Sequence, residues 1–272
     1  MPPHRPGRQD STHGAMKHGI RVAAWQAPVL PRGSMEAMGL IRQRVRWCED
    51  EGISILCCPE AVLGGLADYD ADPSRFAIDA KQLESVLAPL ASDKVTTILG
   101  FTECDDGALF NSAVVFDQGR VAGVYRKQHP AINRSVYGAG RETPVFRVGE
   151  VTLGIVICND STYVEPVKRM AAQGATLLFV PTNNSLPIAR ASRDAIAQAR
   201  KADVAHAVGN GLWVIRADVA GIRGDVASYG ASGIVDPCGT VVRSSRELAE
   251  DLLLAEVNSG PYCPAEGALP AT

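Results

Sequence analysis

The sequence has no CxxC pair, and its seven cysteines are an odd number without framework spacing. A disulfide scaffold and a cysteine zinc site are therefore excluded, and a reducing, cytoplasmic compartment is expected. No apolar run is long enough to cross a bilayer. The formal charge is only -3, which gives no reason to expect nucleic acid or an anionic membrane as partner. Residues 1–18 lack a hydrophobic stretch and so do not form a secretory signal. They read as a disordered leader, with Met16 an alternative start. No GxGxxG follows the first apolar strand, and neither GxSxG nor HExxH occurs. Dinucleotide binding, a serine elbow and a zincin site thus lack their usual marks.

What is present is a globular composition, 46% hydrophobic over 272 residues, enough for one large or two small α/β domains. Strands are predicted at Ile20–Ala27, Ile53–Cys58, Val95–Phe101, Val151–Cys158, Ala175–Val180, Leu212–Ala217 and Asp251–Val257. Helices are predicted at Met35–Glu51, capped by Ser34, and at Ala80–Ala91, Glu165–Gln173 and Arg190–Val208. Two hairpins are signalled, around Asp117-Gln118-Gly119 and around Asp236-Pro237-Cys238-Gly239. The order strand, helix, strand, helix, strand, hairpin therefore occurs twice, and SAVVFDQGRVAGVY pairs with ASGIVDPCGTVVRS. Two such halves, each a sheet covered by helices on one face, predict a four-layer α/β/β/α sandwich of two mixed sheets. A doubly wound sheet is the alternative.

Three reactive residues share one kind of position, the end of an apolar strand: Glu60 after ISILCCP, Lys127 after RVAGVYR and Cys158 after GIVI. At the carboxyl ends of strands such side chains converge on ligand sites. A thiolate attacks an electrophilic carbon, a carboxylate takes its proton, and an ammonium holds the oxyanion. If Cys158 opens a helix, the unpaired N–H groups there, that of Asn159 among them, lower the thiol pKa and stabilise an oxyanion. Each residue also has a plainer reading: a packed core cysteine, a solvated loop glutamate, a surface lysine beside Arg126. A Cys–His pair using His129 or His206 is a further alternative, though His129 beside Pro130 reads as a loop residue and His206 lies on a helix. The basic helix Arg190–Lys201 reads as a solvated face.

In order along the chain, Cys58-Pro59-Glu60 with Gly64-Gly65, Phe110-Asn111-Ser112, Tyr125-Arg126-Lys127-Gln128-His129-Pro130, Ile157-Cys158-Asn159-Asp160 and Val180-Pro181-Thr182-Asn183 resemble the nitrilase superfamily of carbon–nitrogen hydrolases. The resemblance runs from about Ile20 to Val257. It implies a single hydrolase domain over 19–260 with a C-terminal tail at 261–272, the four-layer sandwich, and a homodimer or larger homo-oligomer. It further implies cofactor-independent cleavage of a nonpeptide C–N bond in a small amide or N-carbamoyl compound through a thioester. Cys158 is then the nucleophile, Glu60 the general base and acid, and Lys127 the oxyanion holder. Nitrile hydrolysis by the same triad, or a non-catalytic binding protein on this fold, are the alternatives. Asn159, Asn183, Arg134 and Glu142 are the candidate substrate-binding residues. One departure stands out: many members carry a second glutamate between Lys and Cys, whereas here Asn133-Arg134-Ser135 occupy the nearest positions and Glu142 comes later. Arg134 is accordingly expected to recognise a substrate carboxylate.

Overall fold

The computed structural model describes residues 19–31 and 35–258. The expected leader, the Ser34 cap, Cys263 and the expected tail lie outside the described residues. The strands are β1 (Ile20–Pro28), β2 (Ile55–Cys57), β3 (Ile78–Asp79), β4 (Thr96–Asp105), β5 (Ala108–Asp117), β6 (Arg120–Arg126), β7 (Val145–Val148) and β8 (Val151–Ile155). They continue with β9 (Leu177–Pro181), β10 (Leu186–Pro187), β11 (Trp213–Ala217), β12 (Val219–Arg223), β13 (Val226–Ser228), β14 (Gly233–Val235), β15 (Val241–Ser244) and β16 (Asp251–Val257). The helices are α1 (Ala37–Asp50), α2 (Leu83–Leu87), α3 (Val164–Ala172) and α4 (Asp194–Asn210).

One sheet has the order β10-β13-β12-β1-β2-β4-β5-β6, with β16 also paired to β1 and β3 to β4; the other has the order β15-β14-β11-β9-β8-β7. The duplication read from the sequence is present in the pairing. The series β1-β2-β4-β5-β6 is parallel, parallel, antiparallel, antiparallel, and β8-β9-β11-β14-β15 repeats it. Even the irregularity recurs: the two hairpins are bulged at Val115/Phe116 and at Ile234/Val235, equivalent positions two and one residues before Asp117 and Asp236.

Side-chain alternation builds the layers. Ala23, Trp25 and Ala27 of β1 pack with Ala37, Ile41, Val45 and Cys48 of α1, whose spacing forms one helical stripe. Val22 and Ala24 point the other way and join a core with Leu153, Ile155, Leu177 and Phe179 of the second sheet. Gly154 faces α3, where a Cβ would lie 2.7 Å from Met170 Sδ. The result is the four-layer α/β/β/α sandwich of two mixed sheets.

The local differences have physical reasons. The helix predicted over Ala80–Ala91 is a short α2 between two 3-10 turns, the second of which contains Pro89 and cannot continue the α-helical ladder. The strand predicted to reach Cys158 ends at Ile155. The sequence reading left out β3, β7, β10, β12 and β13, segments of two to five residues that pair at the flanks of the sheets. So short a run carries little periodicity of its own.

Candidate active site

Glu60 lies three residues past β2, where Pro59 breaks the ladder. It is almost fully buried, at 1% exposure. The next residue, Ala61, has φ +45°, left-handed backbone for a residue with a Cβ. Gly100 of β4 makes the turn possible. A Cβ there would lie 2.3 Å from Ala61 N and 2.6 Å from Glu60 Cα, so the strand passes directly beneath the turn.

Lys127 follows β6. Two successive antiparallel steps, β4 to β5 to β6, restore the direction of β2, so the two strand ends open on the same rim. Lys127 Nζ sits 2.5 Å from Glu60 Oε1, both side chains buried. Asn111 Nδ2 donates to Glu60 Oε1 at 2.8 Å, and the backbone N–H of Asn183 donates to Oε2 at 2.9 Å. The carboxylate therefore receives donors from three separate segments. Burial by itself lowers the Lys127 pKa, but Glu60, with Cys158 adding to it, outweighs burial and holds the ammonium above its ordinary value.

Cys158 stands three residues past β8, also in left-handed backbone at φ +46°. This is the sharp, strained geometry in which a side chain is thrown out of the chain's path. The helix it opens is only a 3-10 turn, Cys158–Thr162, and α3 begins later at Val164. The expectation that an α-helix N-terminus lowers the thiol pKa is therefore corrected. Burial, with Glu60 adding to it and Lys127 and Arg216 opposing, pushes the thiol up to about 12. At neutral pH the resting thiol is protonated and needs a base.

Two buried carboxylates hold this turn in place. Asp160 accepts from Tyr125 Oη (2.8 Å), His129 N (2.7 Å) and Ile157 N (3.2 Å), tying the Cys158 turn to the segment just after Lys127. On the other side Asp203 of α4 receives the guanidinium of Arg216 at 2.6 Å. Arg216 also donates to Ser161 Oγ (2.9 Å), which in turn donates to the Cys158 carbonyl (2.7 Å).

Glu60, Lys127 and Cys158 line one cavity of about 130 Å³, together with Asn111, Asn183 and Asp68. A second cavity of about 210 Å³ touches the other side of Cys158 and is lined by Asn159, Gln198 and Arg216. The predicted site residues are thus divided. Glu60, Lys127, Cys158 and Asn183 come together. Asn159 faces the second cavity and donates from Nδ2 to the His129 carbonyl at 3.1 Å. Arg134 is exposed, in left-handed backbone, and does not line the triad cavity. Glu142 is exposed too and lines a separate cavity beside Arg126 and Glu103, so it does not reach the triad. Neither histidine lines the triad cavity. His129 stacks on Tyr163 at 3.6 Å, and His206, its pKa lowered by burial, bonds the Ser161 carbonyl at 2.8 Å. Among the described residues no three His, Cys, Asp or Glu side chains are grouped to hold a metal ion.

The sequence reading did not single out Asp68 or Arg216, and it held Asp160 only as the last residue of the Ile157-Cys158-Asn159-Asp160 motif. Asp68 had a usable signal: it lies eight residues after Glu60 in the Gly64-Gly65-Leu66-Ala67-Asp68 loop, close enough to share its cavity.

Two stacked mixed sheets that bring a buried Glu–Lys pair and a strained cysteine to one cavity define a protein of the nitrilase class. The chain belongs to the carbon-nitrogen hydrolase family, whose model matches residues 21–262. It is 29% identical over 164 residues to a probable nitrilase of Schizosaccharomyces pombe, 58% of this chain and 58% of that protein's length. It is 30% identical over 194 residues to an (R)-stereoselective amidase of a Pseudomonas species, 69% of this chain and 67% of that one. Among solved structures it is similar to a mutant amidase of Nesterenkonia sp. AN1 carrying the acetamide moiety of fluoroacetamide on its active-site cysteine. The TM-score is 0.76 at 22% identity, covering 91% of this chain and 93% of that one. Among the described residues no helix is long and apolar enough to cross a membrane.

Proposed function

We propose that this chain hydrolyses the C–N bond of a small amide or N-carbamoyl compound, with Cys158 as nucleophile, Glu60 as general base and acid, and Lys127 as oxyanion holder. The observation that carries the reading is the single cavity lined by all three, with Lys127 Nζ 2.5 Å from Glu60 Oε1. A thiol whose pKa is pushed up to about 12 requires a partner to remove its proton, and Glu60 is the carboxylate of that cavity joined to Lys127.

In this reading Glu60 accepts the Cys158 proton as sulfur bonds to the amide carbon, and the Lys127 ammonium faces the developing oxyanion. The tetrahedral species collapses with cleavage of the C–N bond. Glu60 returns the proton to the departing nitrogen, leaving an acyl thioester on Cys158. Glu60 then takes a proton from water as hydroxide adds to the thioester. The C–S bond then breaks, the acid leaves, and the Cys158 thiolate takes the proton back from Glu60, restoring both groups. The amidase and nitrilase named above support the bond class, and neither specifies the acyl group.

The test is intact-mass spectrometry of Glu60→Gln and wild type after incubation with a panel of amides, esters and nitriles, beside an ammonia-release assay. An acyl adduct on Cys158 in Glu60→Gln, absent in Cys158→Ala, is the expected result. Failure of every amide, ester and nitrile to label Cys158 or release product rejects the reading in favour of a non-catalytic member.

A further inference from the structure

In the triad cavity Asp68 is a carboxylate without a cationic partner. Glu60 has Lys127. Asp68 accepts from the Ser135 hydroxyl at 2.9 Å (Oδ1) and 3.0 Å (Oδ2) and from the Val136 N–H at 2.7 Å, both neutral donors. Among the described residues no lysine or arginine forms an ion pair with it. Charges behind the nucleophile do not compensate. Arg200 and Arg216 are matched by Asp203, which both contact, and by Asp218, bound only to the amides of Asn184, Val219 and Ala231. Asp160 likewise accepts only from neutral donors. The lining of the cavity therefore holds one cation, Lys127, against two carboxylates, Glu60 and Asp68.

The carboxylate is also positioned and has acceptor capacity to spare. Ala67 N donates to Tyr137 Oη at 2.7 Å, and Tyr137 Oη lies 2.7 Å from Thr102 Oγ1, so the Asp68 loop is pinned to the Ser135–Tyr137 segment and to β4. The single Ser135 hydroxyl hydrogen satisfies one Asp68 oxygen at a time. With Val136 it fills two of about four lone-pair sites, and the rest are open to a ligand.

Building on the amidase reading above, we propose that Asp68 determines specificity by selecting amides that carry a protonated amine and rejecting those that carry a carboxylate. An ammonium in a partly enclosed cavity gains a charge-assisted hydrogen bond there, whereas a carboxylate meets like charge.

The experiment compares kcat/KM of the full chain for three aliphatic amides of equal length, ending in an ammonium, a methyl or a carboxylate, in wild type and in Asp68→Asn. Wild type should favour ammonium over methyl over carboxylate. The ammonium-to-methyl ratio should fall at least about tenfold in Asp68→Asn, which keeps an oxygen for Ser135 and Val136. A wild-type preference for the carboxylate, or an unchanged ratio in the variant, overturns the proposal; if the variant does not fold, the wild-type order decides alone. Protection of Cys158 from alkylation by n-butylammonium but not by n-butanol supports the proposal without any turnover. In that case a chain that cleaves no amide would lose the hydrolase reading and keep the Asp68 site. Turnover and protection that are both blind to charge would retire the Asp68 proposal and leave the hydrolase reading intact.

Discussion

Glu60 and Asn183, 123 residues apart, are joined twice: the Asn183 N–H donates to Glu60 Oε2 at 2.9 Å, and Asn183 Nδ2 donates to the Glu60 carbonyl at 3.4 Å. Both follow equivalent strands, β2 and β9, and the neighbouring Glu60 N–H reaches the Thr182 carbonyl at 3.3 Å. The carboxylate is thus set at the seam between the two duplicated halves. Its placement depends on the stacking of the sheets as well as on its own turn.

Gly100 supports that turn from beneath, so Gly100→Ala should displace Glu60 by pressing on the backbone of its turn. A Cβ 2.3 Å from Ala61 N forces the turn outward. We expect kcat/KM to fall roughly a hundredfold, as displacements of about 1 Å do, with a stability loss of about 1–3 kcal/mol. Steady-state kinetics and urea denaturation on the same preparation check this; unchanged kinetics would mean that the turn gives way freely.

The Glu60–Lys127 pair should show the energetics of a buried ion pair. Lys127→Met leaves the carboxylate with only Asn111 and the Asn183 amide, and should cost about 3–5 kcal/mol in urea denaturation. Adding Glu60→Gln removes the stranded charge and should recover most of that loss while activity stays absent. A double variant as unstable as the single one would contradict this.

Alkaline pH should destabilise the fold. Burial pushes the thiols of Cys158 and Cys48 from 9.0 up to about 12, and raises Cys57, Cys58 and Tyr125 as well. Below pH 9 these thiols are neutral in both states. Between about 9 and 12 the unfolded chain loses protons that the folded chain keeps, so stability falls as pH rises. Cys158→Ser should flatten that slope by up to about 1.4 kcal/mol per pH unit. Denaturation midpoints measured from pH 8 to 11 test it, and a slope unchanged by the substitution would show that Cys158 ionises normally.

The duplicated order of elements, the two hairpins and the strand-end positions of Glu60, Lys127 and Cys158 were legible because each rests on local signals. Apolar runs set the strands, Pro59 and the Gly-containing turns end them, and strand direction carries the three residues to one rim. The broken helix at Ala80–Ala91 was less legible because Pro89 comes near its end, where the preceding pattern still reads as helical.

The sequence by itself pointed to the layered architecture through its repeated order of apolar runs, and it placed Glu60, Lys127 and Cys158 where such runs stop; their joint role came from the family resemblance. Only the tertiary structure decided which loops meet over the cavity. It turned Arg134 and Glu142 away, brought Asp68 in beside Ser135, and raised the Cys158 thiol instead of lowering it. Those outcomes depend on burial and on hydrogen bonds between segments tens of residues apart, and no local pattern encodes the desolvation or the partners that such contacts create.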